Sequence, residues 1–203
     1  MAGLSAATAL YAEPLVNFPS GPAAWTVECR GSLPPPDPGQ DQAAQAVTLN
    51  KVEASQDGEK QRILTRWSNG RTRENWSLSG LGVTLSESPG GKTFVSMEKA
   101  PFDPSAFTWI KKEFLQGEVP VSYKGKKCWH YKGKVAKFNF LNGESDGTVV
   151  CEAWIDAENL LPVALHDGEM LGVFNFTTFD GNLTLPEKFK KRLDYYKTVM
   201  GVP

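Results

Sequence analysis

The chain has 203 residues, of which 40% are hydrophobic and 11% aromatic, which is enough for one domain with a sizeable apolar core. Its 22 Lys and Arg residues nearly balance 23 Asp and Glu residues, so the net charge is only −1. This balance excludes a general attraction to nucleic acid, and no apolar run approaches the roughly 20 residues of a membrane-spanning helix.

Residues 2–12 are small and apolar, and the chain has no Lys or Arg before Arg30. They resemble the end of a secretory signal peptide cleaved after Ala12, although the basic start of such a peptide is missing. The sequence therefore predicts a signal-peptide remnant at 1–12 and a single exported domain at 13–203. The alternative is an ordinary chain terminus.

Strand patterns and turn signals then alternate along the chain. A first strand is predicted at 25–30, followed by a polar, Pro-rich loop at 32–46. Further strand patterns occupy 47–54, 61–68, 72–78, 82–87 and 93–97. Asp57-Gly58 and Asn69-Gly70 supply the positive φ angles of tight hairpins, so these strands predict an antiparallel sheet with one face to cover.

The segment 102–114 has a different period. Asp103 is a good N-cap, Pro104 suits the first helical position, and Phe107, Ile110 and Phe114 recur at helical spacing. These features predict a short amphipathic helix that covers the sheet.

Strand patterns resume at 119–123, 128–132, 135–139, 148–155, 161–166 and 171–179. Thr184 and Glu187 then match a capping box, and one helical stripe contains Phe189, Leu193, Tyr196 and Met200. The end of the chain therefore predicts a helix, with a strand as the alternative.

No pattern in the chain is typical of a catalytic centre. The two histidines, His130 and His166, have no partners at metal-ligand spacing, and there is no Gly-x-Ser-x-Gly motif. Glu152 and Asp156 would lie about 13 Å apart on one strand, too far for a pair of glycosidase carboxylates. We therefore predict a protein that is not an enzyme and needs no cofactor or metal; a hydrolase that uses a histidine is the alternative.

Cys128 and Cys151 lie on strands that pair if the chain turns at 142–147. A disulfide between them is predicted if the two side chains share a face, since export would favour oxidation. The alternative is three buried free thiols, including Cys29.

Aromatic side chains recur on the predicted strands and are candidates for lining an apolar ligand cavity; the alternative is an ordinary core. The candidates are Trp67, Trp76, Phe94, Phe138, Phe140, Trp154, Phe174 and Phe176. Eight lysines between Lys111 and Lys137 form a second feature. They predict a surface for an acidic protein or anionic lipid headgroups, or else a sheet edge that lysines protect from aggregation.

Two stretches resemble LolA-like and RseB-like proteins of the bacterial envelope, over about 127–193. They are Cys151-Glu-Ala-Trp-Ile-Asp156 with the following Leu-Pro162-Val-Ala-Leu, and Asp180-Gly-Asn-Leu-Thr-Leu-Pro186. The resemblance implies a curved antiparallel half-barrel with helices on its concave face, and a strand after Pro186. It further implies a periplasmic or envelope protein that carries lipid or lipoprotein acyl chains, or acts as a sensor. It supplies no ligand-binding residues.

These features together predict a mainly β (α+β) fold, with one curved antiparallel sheet and one or two helices on its concave face. The predicted function is non-enzymatic binding of an apolar ligand or lipoprotein acyl chain by an exported envelope protein. The alternative is a protein-interaction or sensor module that uses its lysine-rich face and has no ligand cavity.

Overall fold

A computed structural model describes residues 15–19, 21–31, 47–88, 90–97, 101–138, 145–179 and 181–201. The predicted signal-peptide remnant at 1–12 and the Pro-rich loop at 32–46 lie outside these residues. The strands are β1 (Ala23–Gly31), β2 (Leu49–Asp57), β3 (Lys60–Trp67), β4 (Thr72–Leu78), β5 (Val83–Glu87), β6 (Thr93–Ser96), β7 (Val121–Tyr123), β8 (Lys126–Phe138), β9 (Ser145–Asp156), β10 (Pro162–His166) and β11 (Met170–Thr177). One helix, α1 (Glu187–Met200), follows them.

The eleven strands of the described residues form one antiparallel sheet, which confirms the predicted mainly β fold. Its order is β6-β5-β4-β3-β2-β1-β11-β10-β9-β8-β7, so β6 and β7 form its two edges. Strand β1 pairs with both β2 and β11 and thereby joins the first six strands to the last five. Most neighbours are consecutive in sequence because short turns join them, as the turn dipeptides predicted.

One face of the sheet carries the larger core. Ala54 pairs with Trp25 and with Ile63, so these three side chains share what we name the first face. The segment 101–115 covers this face and buries Phe102 and Phe107 in the core. The first face therefore closes without a regular helix.

The opposite face, here the second face, is buried at the other end of the sheet. Ile63 pairs with Asn75, so the next residue, Trp76, points to the second face. Trp76 and Leu85 are buried there against Phe189 of α1, which has no exposed surface. The two cores therefore lie on opposite faces of one sheet.

The predicted helix at 102–114 is wrong. Two 3₁₀ turns, Pro104–Phe107 and Lys112–Phe114, replace it. Asp103 caps the first turn as predicted, accepting a hydrogen bond from Ser105 N at 2.8 Å. Thr108, Trp109 and Ile110 between the turns have low helix propensity. The apolar residues reach the core from turns instead of from one helical stripe.

The predicted C-terminal helix is confirmed, and the strand that the resemblance implied after Pro186 is wrong. The predicted capping box is also wrong, because the helix begins at Glu187 and its N-cap, Pro186, forms no side-chain cap hydrogen bond. Phe189 and Leu193 pack against the second face, whereas Met200, which the stripe placed with them, is 58% exposed. Gly201 adopts a left-handed conformation and donates to Lys197 O, which ends the helix. Among the described residues, no helix is long and apolar enough to cross a membrane.

The predicted Cys128–Cys151 disulfide is wrong because the register of the β8–β9 pair separates the two residues. Cys128 lies opposite Asp156, while Cys151 lies opposite Gly133, five positions along β8 from Cys128. That offset is about 17 Å of strand, far beyond the limit of about 7 Å for bridged Cα atoms. Cys29, Cys128 and Cys151 are buried free thiols.

Burial raises the pKa of the Cys29 thiol to about 12 and that of Cys151 to about 11, and neighbouring carboxylates add to the effect. Both thiols are therefore protonated at neutral pH and poor nucleophiles.

Gly172 on β11 allows the first-face core to approach the backbone. A Cβ atom there would lie 2.6 Å from Phe102 Cε1 and 2.8 Å from Val27 Cγ1. We expect Gly172→Ala to lower the free energy of unfolding by about 1–3 kcal/mol, because it overpacks this core. Urea denaturation measures the change. Gly21→Ala, where a Cβ meets nothing within 4 Å, is the control; equal losses in the two variants would refute the close packing.

Candidate ligand groove

A groove of about 700 Å³ opens where two hairpins end side by side. It lies at the end of β3, the start of β4, the end of β5 and the start of β6. Its lining residues are Val47, Trp67, Arg71, Thr72, Arg73, Glu74, Glu87, Ser88, Gly91 and Phe94. This volume is within the range of small-molecule sites in proteins.

Local turn chemistry builds the first wall of the groove. Gly70 has a φ of 77°, and its N–H donates to Trp67 O at 3.0 Å. Asn69 Oδ1 accepts a hydrogen bond from Arg71 N at 3.1 Å. This tight Asn-Gly turn places Trp67 and Arg71 at the same end of the β3–β4 pair.

The β5–β6 turn builds the second wall. Ser88 N donates to Lys92 O at 2.8 Å, and Gly91 N donates to Ser88 O at 2.9 Å. Phe94 then pairs with Ser86 of β5. Because β4 pairs with β5, the two turns lie next to each other and residues of both line one opening.

The groove joins apolar surface to cationic groups. Trp67 is half-buried and packs against the first-face core. The Arg73 guanidinium lies over the Phe94 ring, 5.5 Å from its centroid, in the geometry of a cation–π contact. Val47, 51% exposed, adds apolar surface. Such a lining suits a ligand with both an apolar and a polar part.

Both acidic lining residues are neutralised by cations that are not part of the lining. Glu74 Oε1 accepts a hydrogen bond from Arg62 Nε at 2.6 Å. Glu87 forms an ion pair with Lys188 of α1. The Arg71 side chain, by contrast, has no charged or hydrogen-bonding partner within the described part of the chain. By strand alternation both carboxylates point to the second face, away from the side chains of Trp67 and Phe94, so they add little negative charge to the apolar wall of the groove.

Of the eight predicted aromatic residues, the structure places Trp67 and Phe94 in the groove. Trp76 lies in the second-face core, and Phe174 and Phe176 pack in or against the first-face core. Trp154 lies on the second face at the other end of the sheet. Phe138 is in β8, but its side chain is not among the described ones, and Phe140 lies outside the described residues.

Sequence reasoning missed the arginines of the groove. Arg71 and Arg73 directly follow the Asn69-Gly70 turn, in an Arg-x-Arg pattern that repeats on one strand face. This pattern places both side chains near Trp67, and it was the signal available in the sequence. Arg73 comes near Phe94 because β4 pairs with β5 across the short connection between Leu78 and Val83, and β5 pairs in turn with β6.

Trp154 belongs to a separate cluster. Its ring stacks on Tyr123 at 4.5 Å and on His130 at 4.9 Å between centroids. Glu152 binds His130 Nε2 at 3.0 Å and accepts a hydrogen bond from Lys132 Nζ at 2.7 Å. In the described residues no group of three His, Cys, Asp or Glu side chains could hold a metal ion. Ring stacking and the two contacts of Glu152 join the cluster into one network of paired groups.

This network predicts a pH-dependent contribution to stability. Lys132, and then His130, hold the pKa of the Glu152 carboxyl below its usual value. A carboxyl with a lowered folded-state pKa stabilises the fold above its unfolded pKa of about 4.3, and this stabilisation is lost as the pH falls through the folded-state pKa. Glu152→Gln should therefore cost about 1 kcal/mol at pH 7 and progressively less towards pH 3.

Urea denaturation of the wild type and Glu152→Gln across this pH range measures the effect. Glu113→Gln is the control, since Glu113 is exposed and its contact with Lys111 is long, at 3.9 Å. A cost for Glu152→Gln that stays constant from pH 7 to pH 3 would contradict the assigned role.

The lysine-rich stretch from Lys111 to Lys137 is partly neutralised. Ion pairs join Lys111 to Glu113, Lys126 to Asp156 and Lys132 to Glu152. The exposed residues Lys112, Lys124, Lys127 and Lys134 form no ion pair with any described residue. Gln116 N donates to His130 O at 2.8 Å and so covers part of the β8 edge. A partner surface here stays a prediction.

Compared with known proteins, the chain matches no family model and no curated sequence.

Proposed function

We propose that this protein is a non-enzymatic binding protein. It holds an apolar ligand, or the acyl part of a lipoprotein, in the groove between the β3–β4 turn and the β5–β6 turn. The observation that carries the proposal is the convergence of Trp67, Phe94 and Val47 on an opening of about 700 Å³. Aromatic and aliphatic surface of this kind binds by burial, at about 25 cal/mol per Å² of apolar area.

Burial of apolar surface alone can supply the binding free energy for this role, without a catalytic group. Each methylene of a bound chain that leaves water contributes about 0.8 kcal/mol, so a modest chain can offset the entropy lost on binding. An open groove also allows the ligand to enter and leave without unfolding of the sheet. These properties suit a carrier better than a catalyst.

An envelope location is part of the proposal and rests on the resemblance to LolA-like and RseB-like proteins. The residues that carry it best are 151–165, which form parts of β9 and β10 around a turn. The helix after Pro186 departs from the pattern of those proteins, so the location rests on the strands alone.

Binding of the neutral fluorescent probe N-phenyl-1-naphthylamine tests the proposal. We expect saturable binding to the wild type and about tenfold weaker binding to Trp67→Ala or Phe94→Ala. Each variant removes aromatic surface that the bound probe would bury. Trp154→Ala is the matched control, because it removes an aromatic side chain far from the groove. Native mass spectrometry of the purified protein should also detect co-purified lipid.

Two outcomes would reject the proposal. One is the absence of saturable probe binding and of any co-purified lipid. The other is an equal loss of affinity in Trp154→Ala and in the two groove variants, with all variants shown to be folded by circular dichroism.

A further inference from the structure

We infer that the groove selects single-chain amphiphiles with an anionic head group, a carboxylate or a phosphate, and that Arg71 binds this head group. The inference rests on the proposed function and specifies its ligand class. It follows from the charges around the groove, which are independent of the apolar surface that carries the proposal.

Arg71 is the lining charge that is available to a ligand. Its side chain is exposed at the groove and has no partner among the described residues. A guanidinium presents a planar set of donors that matches two oxygens of a carboxylate or phosphate. The Asn69-Gly70 turn fixes the backbone of Arg71, so its side chain extends from a defined position beside Trp67.

Glu74 and Glu87 also border the groove, although their side chains point to the second face while the apolar wall is on the first. Arg62 is held 2.6 Å from Glu74, and Lys188 pairs with Glu87. Lys188 comes from α1, which packs on the second face, about a hundred residues further along the chain. Lys188 therefore offsets the charge of one carboxylate beside the groove without lining the groove itself.

The dimensions favour one chain over two. A volume of about 700 Å³ is that of a site for one small ligand. Trp67 and Phe94 provide apolar surface for the chain, while Arg71 lies at the turn where β4 begins. A head group at Arg71 would thus leave the chain against the aromatic rings.

Three probes of equal chain length test the inference: palmitate, hexadecyl phosphate and the neutral methyl palmitate, each below its aggregation limit. Isothermal titration calorimetry should show binding of an anionic probe to the wild type about fivefold tighter than binding of the ester, as expected for a partly exposed ion pair. Arg71→Gln should abolish this preference and leave the affinity for methyl palmitate unchanged.

Lys188→Gln and Lys190→Gln form a matched pair, since both remove one positive charge from α1 and only Lys188 pairs with Glu87. We expect Lys188→Gln to reduce the anion preference about twofold and Lys190→Gln to leave it intact. A tighter complex with palmitate would identify a carboxylate head group, and one with hexadecyl phosphate a phosphate; either supports the inference.

Equal binding of all three probes by the wild type would overturn the inference while the proposed function stands. So would an Arg71→Gln variant that loses affinity for the ester as strongly as for the anions. Failure of all three probes to bind would reject the inference and the proposed function together.

Discussion

Replacing Phe189 with alanine should lower the free energy of unfolding by about 3–5 kcal/mol. The Phe189 side chain has no exposed surface and fills the second-face core beside Trp76 and Leu85. Its removal leaves a cavity between α1 and the sheet that the surrounding strands cannot close. Urea denaturation followed by circular dichroism measures the change.

Tyr195→Ala is the control for this prediction, since Tyr195 lies on the same helix and is 61% exposed. Its effect should stay within about 0.5 kcal/mol. A loss below about 1 kcal/mol for Phe189→Ala would mean that α1 is not docked on the second face as described. Limited proteolysis of Phe189→Ala should, in addition, cut within α1 earlier than in the wild type.

Phe174→Ala should also destabilise the protein by about 3–5 kcal/mol, and it should leave binding of N-phenyl-1-naphthylamine unchanged. The Phe174 ring packs 5.5 Å from Phe107 and 6.0 Å from Phe102, centroid to centroid, in the first-face core. The Phe174 side chain is therefore buried in the core and is not available to a ligand.

Phe94→Ala is the reciprocal control for Phe174→Ala. Phe94 is only half-buried at a sheet edge, so its loss should cost less than about 1.5 kcal/mol of stability while it weakens probe binding. Denaturation and probe titration of both variants give a two-way comparison. Weak probe binding by folded Phe174→Ala would contradict this prediction and indicate that Phe174 contacts the ligand.

Local chemistry explains which parts of the fold the sequence predicts. Asn69-Gly70 and Asp57-Gly58 specify tight hairpins through two or three residues, without help from the rest of the protein. The apolar residues of the 102–114 segment recur at helical spacing, yet they contact the sheet from two 3₁₀ turns. Tertiary packing therefore decides the local structure here, and the spacing does not. The Cys128–Cys151 register depends on the length of the β8–β9 turn, which composition does not determine.

The sequence predicted the aromatic residues of the groove, Trp67 and Phe94, but not its position or its arginines. Alternation assigns Trp67 and Trp76 to opposite faces of the sheet, but it does not say which face is covered at which end. The structure covers the second face at Trp76 with α1, and Trp67 is left beside the opening. Arg71 becomes part of a site only when β5 and β6 fold back beside the β3–β4 turn, an arrangement that no single turn signal specifies.

Photo-crosslinking with a palmitate analogue that carries a diazirine on its chain tests most directly whether the groove is the ligand site. After irradiation, peptide mapping by mass spectrometry locates the labelled residues, with and without excess palmitate as competitor. We predict labels within 67–74 and 87–94 that palmitate suppresses. Labels confined to peptides that contain Phe174 or Trp154, or labels that palmitate does not suppress, would contradict the assignment of ligand binding to this groove.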